Sequence, residues 1–299
     1  MSKTITLDAP PSTRELYTKA VGKMLPVIGQ SGPVRADAKI PDTRLKLADI
    51  TVDRVALQDY CRATGQQFNA TLPLTYPFVL QFPLVMKTMV SPDFPFGAVG
   101  SVHLENVIHR LRPIGVDEPL TVVTHAENLR EHRKGLLVDV ISEISVGTEL
   151  VTVQTGTFLK QQRTSLSDEP RGPEPKSTTP PPPDGILAVD LGRIRQYAAA
   201  SGDRNPIHMG DLTAKAFGFP KAIAHGMWSA AAAIANVEAQ LPDDVTYSVR
   251  WGKPILLPAK VNLYTHRIDG IGGAGSDFDI SILNRRKGFP HLTATTRGA

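Results

Sequence analysis

Asp203, Asn205, Pro206 and His208 fall within six residues of one another, and His225 and Gly226 follow 17 and 18 positions after His208. A carboxylate and an imidazole can take and return a proton, but five positions apart they converge only if the chain turns. Asn-Pro favours that turn. An imidazole titrates near neutral pH, so His208 suits transfer in both directions. Gly226 opens the apolar stretch GMWSAAAAIANVEAQL, which reads as a helix starting at the glycine and running through its length. The unpaired N–H groups and dipole of such a helix start favour a developing oxyanion. A base, an acid and an oxyanion donor together point to proton transfer beside a carbonyl whose oxygen takes up charge.

Asp, Asn, Pro and Gly are also ordinary turn formers, so DRNP alone reads as a structural loop. The joint spacing of Tyr197, Gly202, Asp203, Asn205, Pro206, His208, Gly218, Phe219, His225 and Gly226 goes beyond that. Residues 197–226 closely resemble the signature of MaoC-like, (R)-specific enoyl-thioester hydratases and dehydratases, in which an SGDxNPxH loop precedes an apolar helix opening with HGM. The segment LPLTYPFVLQFPLVM looks like that of actinobacterial 3-hydroxyacyl-thioester dehydratases.

The resemblance implies that Asp203 and His208 are the catalytic pair, that Asn205 orders the loop or a water, and that the Gly226 N–H binds the thioester carbonyl. Ser229, one turn into the helix, would touch the ligand. The implied reaction is reversible syn addition of water, interconverting trans-2-enoyl and (3R)-3-hydroxyacyl thioesters, with coenzyme A the favoured carrier. Acyl carrier protein or fatty-acid synthase components are the alternative partners, and coenzyme A or phosphopantetheine enters only as part of the substrate, with no separate cofactor. A hot-dog thioesterase and a non-catalytic acyl-thioester binder are further readings.

The elements that must hold this site come in duplicate. Residues 52–66 align without gaps to 189–203 at an offset of 137, and 108–125 align to 249–266 at an offset of 141. Each copy of the first block starts with an Asp suited to an N-cap, places apolar residues at helical spacing, and stops at a glycine, Gly65 or Gly202. A second apolar segment in each half supplies a central helix, and strand-like runs follow, such as Phe278, Ile280 and Ile282 alternating with polar residues. This predicts an α+β chain. With the resemblance, it becomes a double hot-dog: two antiparallel sheets, each wrapped around a long central helix, forming a pseudo-dimer.

The halves differ in chemistry. Gln66 stands where the second copy has Asp203, and FNATLPL carries no counterpart of His208. An amide is no general base at neutral pH, so one active site is expected, in the second half. The bulky segment TLPLTYPFVLQFPLVMKTMV of the first half reads as core, with acyl-chain accommodation as the functional alternative and Tyr76 as a polar point in such a tunnel.

The expected organisation is a degenerate N-terminal hot-dog domain over 1–162, a Pro-rich linker over 163–184 containing PPPP, and a catalytic domain over 185–299. The first thirty or so residues suggest a helix ahead of the first domain. The net charge of +4 comes without a basic run, which does not indicate nucleic-acid binding. A single cysteine, Cys61, excludes an intrachain disulfide and a Cys-based metal site, the histidines form no close metal-ligand pair such as HExxH, and no metal is expected. No stretch is long and apolar enough for a membrane span and no signal-peptide pattern is seen, so a cytoplasmic protein is expected, as a monomeric pseudo-dimer or a homodimer.

Overall fold

The computed structural model describes residues 3–22, 33–98, 100–169, 179–268 and 277–298. In chain order the first half forms β1 (Lys3–Leu7), α1 (Thr13–Gly22), β2 (Thr43–Ile50), α2 (Arg54–Thr64), α3 (Pro77–Met89), β3 (Ser101–Arg110), β4 (Leu120–His132), β5 (Gly135–Val146) and β6 (Glu149–Gln161). The second half forms β7 (Gly185–Val189), α4 (Leu191–Ser201), α5 (Pro206–Met209), α6 (Asp211–Ala216), α7 (Gly226–Ile234), β8 (Val245–Trp251), β9 (Ala259–Ile268), β10 (Asp277–Asn284) and β11 (Pro290–Gly298). The chain is therefore mixed α+β, as its patterning predicts.

The repeated helices start and stop where local chemistry dictates. Asp53 Oδ1 accepts from the N–H groups of Val55 and Ala56 at the start of α2, and Asp190 Oδ1 accepts from that of Arg193 at the start of α4. Such a cap is worth about 1 kcal/mol. Gly65 and Gly202 end the two helices at φ +84° and +73°, the left-handed conformation glycine adopts without a Cβ penalty. Cys61 and Ala198, opposite one another in the alignment, are both buried.

The chain forms two compact units that interleave along the sequence. One draws on Met1–Thr51, Leu80–Asn106 and Glu118–Pro173, the other on Val52–Val79, Val107–Asp117 and Glu174–Ala299. Division at the linker describes the duplication. The described linker residues are 163–169 and 179–184, and the rest of it lies outside the described residues.

In the first unit the strands run β1-β2-β4-β5-β6-β3. The β2-β4, β4-β5 and β5-β6 pairs are antiparallel, whereas β1 pairs parallel to β2. An N-terminal helix is present as α1, but β1 precedes it, a strand that the sequence reading did not include; residues 23–32 lie outside the described residues. Val85 and Met89 of α3 pack with Ala126, Leu136, Val138 and Val140 of the sheet and with Phe94 and Phe96. Burial of each large side chain there contributes about 1.5–3 kcal/mol, the main term holding helix to sheet.

In the second unit the order is β8-β11-β10-β9-β7, antiparallel throughout. Phe278, Ile280 and Ile282 point inward with the expected alternation. The small side chains of α7 are buried with Trp228, and Tyr247 of β8 donates its hydroxyl hydrogen to the Ala230 carbonyl at 2.9 Å. The helix is shorter than its apolar sequence suggests. It stops at Ile234, and a 3₁₀ turn at Glu238–Gln240 replaces its expected last turn, closed by i→i+3 bonds from Val237 to Ile234 and Gln240 to Val237. That turn presents Glu238 to backbone and amide donors described below, a tertiary contact that the helical pattern does not encode. Among the described residues no helix is long and apolar enough to cross a membrane.

Candidate active site

The loop between α4 and α5 is built from its own side chains. Ser201 Oγ accepts from the Asp203 N–H at 3.3 Å, Asp203 Oδ1 from the Asn205 N–H at 3.2 Å, and Asn205 Oδ1 from the Ile207 N–H at 3.3 Å. Asn205 is thus the N-cap of α5, with Pro206 opening that short helix. This brings His208 back toward Asp203. Ile223 pins it: the His208 Nδ1–H donates to the Ile223 carbonyl at 2.8 Å, and the Ile223 N–H donates to the Ile207 carbonyl at 3.1 Å. Because a carbonyl only accepts, Nδ1 carries the proton and a neutral His208 keeps its lone pair on Nε2.

His225 completes the cluster, and it is the residue that motif reading undervalued. It is 1% exposed, its ring centroid lies 3.7 Å from that of His208, and its Nε2–H donates to the Asp203 backbone carbonyl at 2.9 Å. The same Nε2 lies 3.9 Å from Asp203 Oδ2. Tyr197 covers the other side, with ring centroids 5.0 Å apart. The HGM signature contained His225, but only the fold shows that it touches both members of the predicted pair.

Burial sets the charge state here. It pushes His208 down to about 3, reinforced by repulsion from His225, while Asp203 and the Ile223 carbonyl pull the other way without offsetting it. Burial likewise lowers His225, opposed by Asp203. Both rings therefore rest neutral at pH 7, which replaces the expectation that free His208 samples both forms near neutrality. Donor atoms of Asp203, His208 and His225 lie within 4.8 Å of one another, close enough to consider a cation. The two rings are stacked with a tilt of only 31°, however, so their in-plane lone pairs do not converge well on one ion. The chemistry they suit is proton transfer.

Gly226 opens α7 directly after His225, the helix start that the sequence predicts. A Cβ at Gly226 would meet the Trp251 indole at 3.1 Å, so the close approach made by this glycine is to Trp251. The Trp251 Nε1–H donates to the Gly226 carbonyl at 3.0 Å and to Ser229 Oγ at 3.1 Å, and the Ser229 hydroxyl donates to the same carbonyl at 2.6 Å. Ser229 is therefore engaged in fixing the helix start.

Tyr76, the remaining candidate, is 1% exposed and sits edge-on to Tyr60 at 5.1 Å, with burial pushing its hydroxyl up to about 12. Tyr60 in turn lies 5.8 Å from Tyr197, so aromatic packing joins Tyr76 to the ring that covers His225. Gln66, opposite Asp203 in the repeat, is buried in a polar cluster. Its Nε2–H donates to Glu238 Oε2 at 2.9 Å, its Oε1 accepts from Thr75 at 2.8 Å, and the Leu74 N–H donates to Glu238 Oε1 at 2.5 Å. Burial raises Glu238 above the usual carboxylate range. Where the second copy has an acid facing imidazoles, the first has an amide bonded to an acid.

The sheet and helix arrangement with this aspartate-histidine loop defines the chain as a member of the MaoC-like dehydratase family, and the MaoC like domain matches residues 166–277. The chain is 46% identical over 288 residues to 3-hydroxyacyl-thioester dehydratase X of Mycobacterium tuberculosis (strain ATCC 25618 / H37Rv), covering 96% of this chain and 99% of that protein. A crystal structure of this relative, HtdX, superposes with a TM-score of 0.75 at 44% identity over 86% of this chain and all (100%) of that one. A MaoC-like dehydratase from Phytophthora capsici shares the fold at 17% identity, with a TM-score of 0.69 over 89% of this chain and 98% of that one.

Proposed function

We propose that the chain catalyses reversible syn hydration and dehydration between trans-2-enoyl and (3R)-3-hydroxyacyl thioesters, with coenzyme A as the carrier. The observation that carries this reading is the bond from His208 Nδ1 to Ile223, which leaves a neutral Nε2 as proton acceptor in the same cluster as the Asp203 carboxylate. The name of the mycobacterial relative, a 3-hydroxyacyl-thioester dehydratase, supports it.

In hydration, Asp203 and His208 hold a water. His208 Nε2 takes one of its protons as the oxygen bonds to Cβ, and the electron pair of the double bond moves through Cα onto the thioester oxygen. The first N–H of α7, at Gly226, holds that oxygen. The imidazolium, stabilised by the Asp203 charge, then returns its proton to Cα on the same face and the carbonyl reforms. Dehydration is the reverse. Protons and electrons balance among water, thioester and the pair, so the reaction calls for no resident metal or redox cofactor. Asn205 acts by shaping the loop, Ser229 by holding the helix start, and Tyr76 by packing. Gln66 leaves catalysis to the second half. The cytoplasm is the proposed compartment, and acyl carrier protein is the alternative carrier.

The test follows the absorbance of the conjugated enoyl thioester with crotonyl-coenzyme A and a longer 2-enoyl homologue. Wild type should remove the band and give the (R)-3-hydroxyacyl product, with Asp203→Asn and His208→Ala reduced roughly 10²–10⁴-fold. Binding without turnover, on either carrier, would make the chain a binder; turnover only on acyl carrier protein would change the carrier.

A further inference from the structure

Three cations line one cleft at the turn end of the second unit's sheet. Asn284 Oδ1 accepts from the N–H groups of Arg286 and Lys287 at 3.1 and 3.0 Å, and Gly288, at φ +65°, lets the chain return into β11. This local bonding projects Arg285 and Arg286 outward. With Lys260 and Asn284 they line an open cleft of about 460 Å³. Lys253 places its Nζ 4.7 Å over the ring of Phe289, the residue that leads into β11. Lys253, Lys260, Arg285 and Arg286 are all exposed, and no carboxylate of the described residues is paired with them. Like charges held together repel, so this arrangement favours an anion.

The cleft lies at the same end of the sheet as the candidate oxyanion donor. Trp251, whose indole binds the Gly226 carbonyl, pairs with Leu292. One step further, the Gly252 N–H donates to the His291 carbonyl at 3.0 Å and the Lys253 N–H to the Pro290 carbonyl at 3.1 Å. Leu292 pairs in turn with Ile282 of β10, and Arg285 follows three residues further along, at the end of that strand, roughly 10 Å away at ~3.3 Å per residue. An extended pantetheine arm spans that order of distance.

The geometry points to this cleft as the site for the nucleotide phosphates of a coenzyme A thioester, an assignment that rests on the thioester reading above. Two guanidinium groups and an ammonium around one concavity match a compact, multiply charged phosphate group. Arginine offers paired donors to such oxygens. The acidic face of a carrier protein would instead call for an extended basic stripe.

The experiment measures steady-state kinetics of wild type and an Arg285→Ala/Arg286→Ala variant with crotonyl-coenzyme A, crotonyl-pantetheine and crotonyl-acyl carrier protein. The expected result is a KM for the coenzyme A thioester raised roughly tenfold, kcat unchanged, and no change with the pantetheine thioester, which has no phosphate. An unchanged KM for coenzyme A, equal losses with pantetheine, or a loss confined to the carrier protein overturns the assignment. If wild type turns over none of the three, the thioester reading itself fails, and the cleft assignment falls with it. Lys260→Gln and Arg285→Gln, singly, keep the comparison readable should the double variant unfold.

Discussion

His225 lies with its ring centroid 3.7 Å from that of His208 and donates its Nε2–H to the backbone carbonyl of Asp203 at 2.9 Å. One buried imidazole thus packs on the proposed base and holds the loop carrying the carboxylate. We propose for it a positioning role, through contacts made before any substrate arrives.

Replacing His225 by Leu should therefore lower kcat by roughly tenfold to a hundredfold, the effect of leaving a buried carbonyl without its ~1–3 kcal/mol partner. His225→Gln, which keeps an N–H donor, should recover part of the loss. Equal activity of the Leu variant and wild type in the enoyl-thioester assay would refute the positioning role.

The depressed basicity of His208 has a pH consequence. Its folded pKa is about 3 against an ordinary value of 6.5, so between those limits the unfolded chain binds the extra proton. Stability should fall as pH drops through that window, with a slope of up to about 1.4 kcal/mol per pH unit for the one group, and level off above it. Denaturant unfolding of wild type and His208→Gln from pH 4 to 8 checks this, the variant losing that part of the slope.

Gly226→Ala places a methyl 3.1 Å from the Trp251 ring, which is itself tied to Gly226 and Ser229. Overpacking of this kind costs about 1–3 kcal/mol. Both thermal stability and kcat should fall, and Trp251→Phe in the same chain should recover part of the stability, relieving the contact while giving up the indole N–H bonds. An alanine variant as active and as stable as wild type would mean that Trp251 shifts freely.

At Gln66, substitution by Glu sets a carboxylate against Glu238, where the amide now donates at 2.9 Å. Like charges raise the pair's folded pKa, so its stability should be retained at acid pH and lost as pH rises through that value. The neutral-pH loss should be about 1–3 kcal/mol and largely disappear in Gln66→Glu/Glu238→Gln, as read by unfolding at pH 5 and pH 8. No difference between the two pH values would show that the two groups do not interact.

The sequence by itself determined what depends on near neighbours along the chain. Asp53 and Asp190 cap helices two or three residues away, Gly65 and Gly202 stop them, and the turn that returns His208 toward Asp203 is written in Ser201, Asn205 and Pro206. These are short-range steric and hydrogen-bonding rules, and with the family resemblance they made the fold class and most of the candidate site legible. Tertiary structure decided contacts between residues far apart in sequence, which are set by sheet register and helix packing. Glu238 meets Gln66 across 172 positions, from a segment of helical composition that folds as a 3₁₀ turn. Trp251 reaches Gly226 and Ser229 from the end of a strand, and His225 comes to rest on His208 with both rings desolvated. Burial is a property of the packed whole, which is why the depressed basicity of His208 appears only in the folded chain.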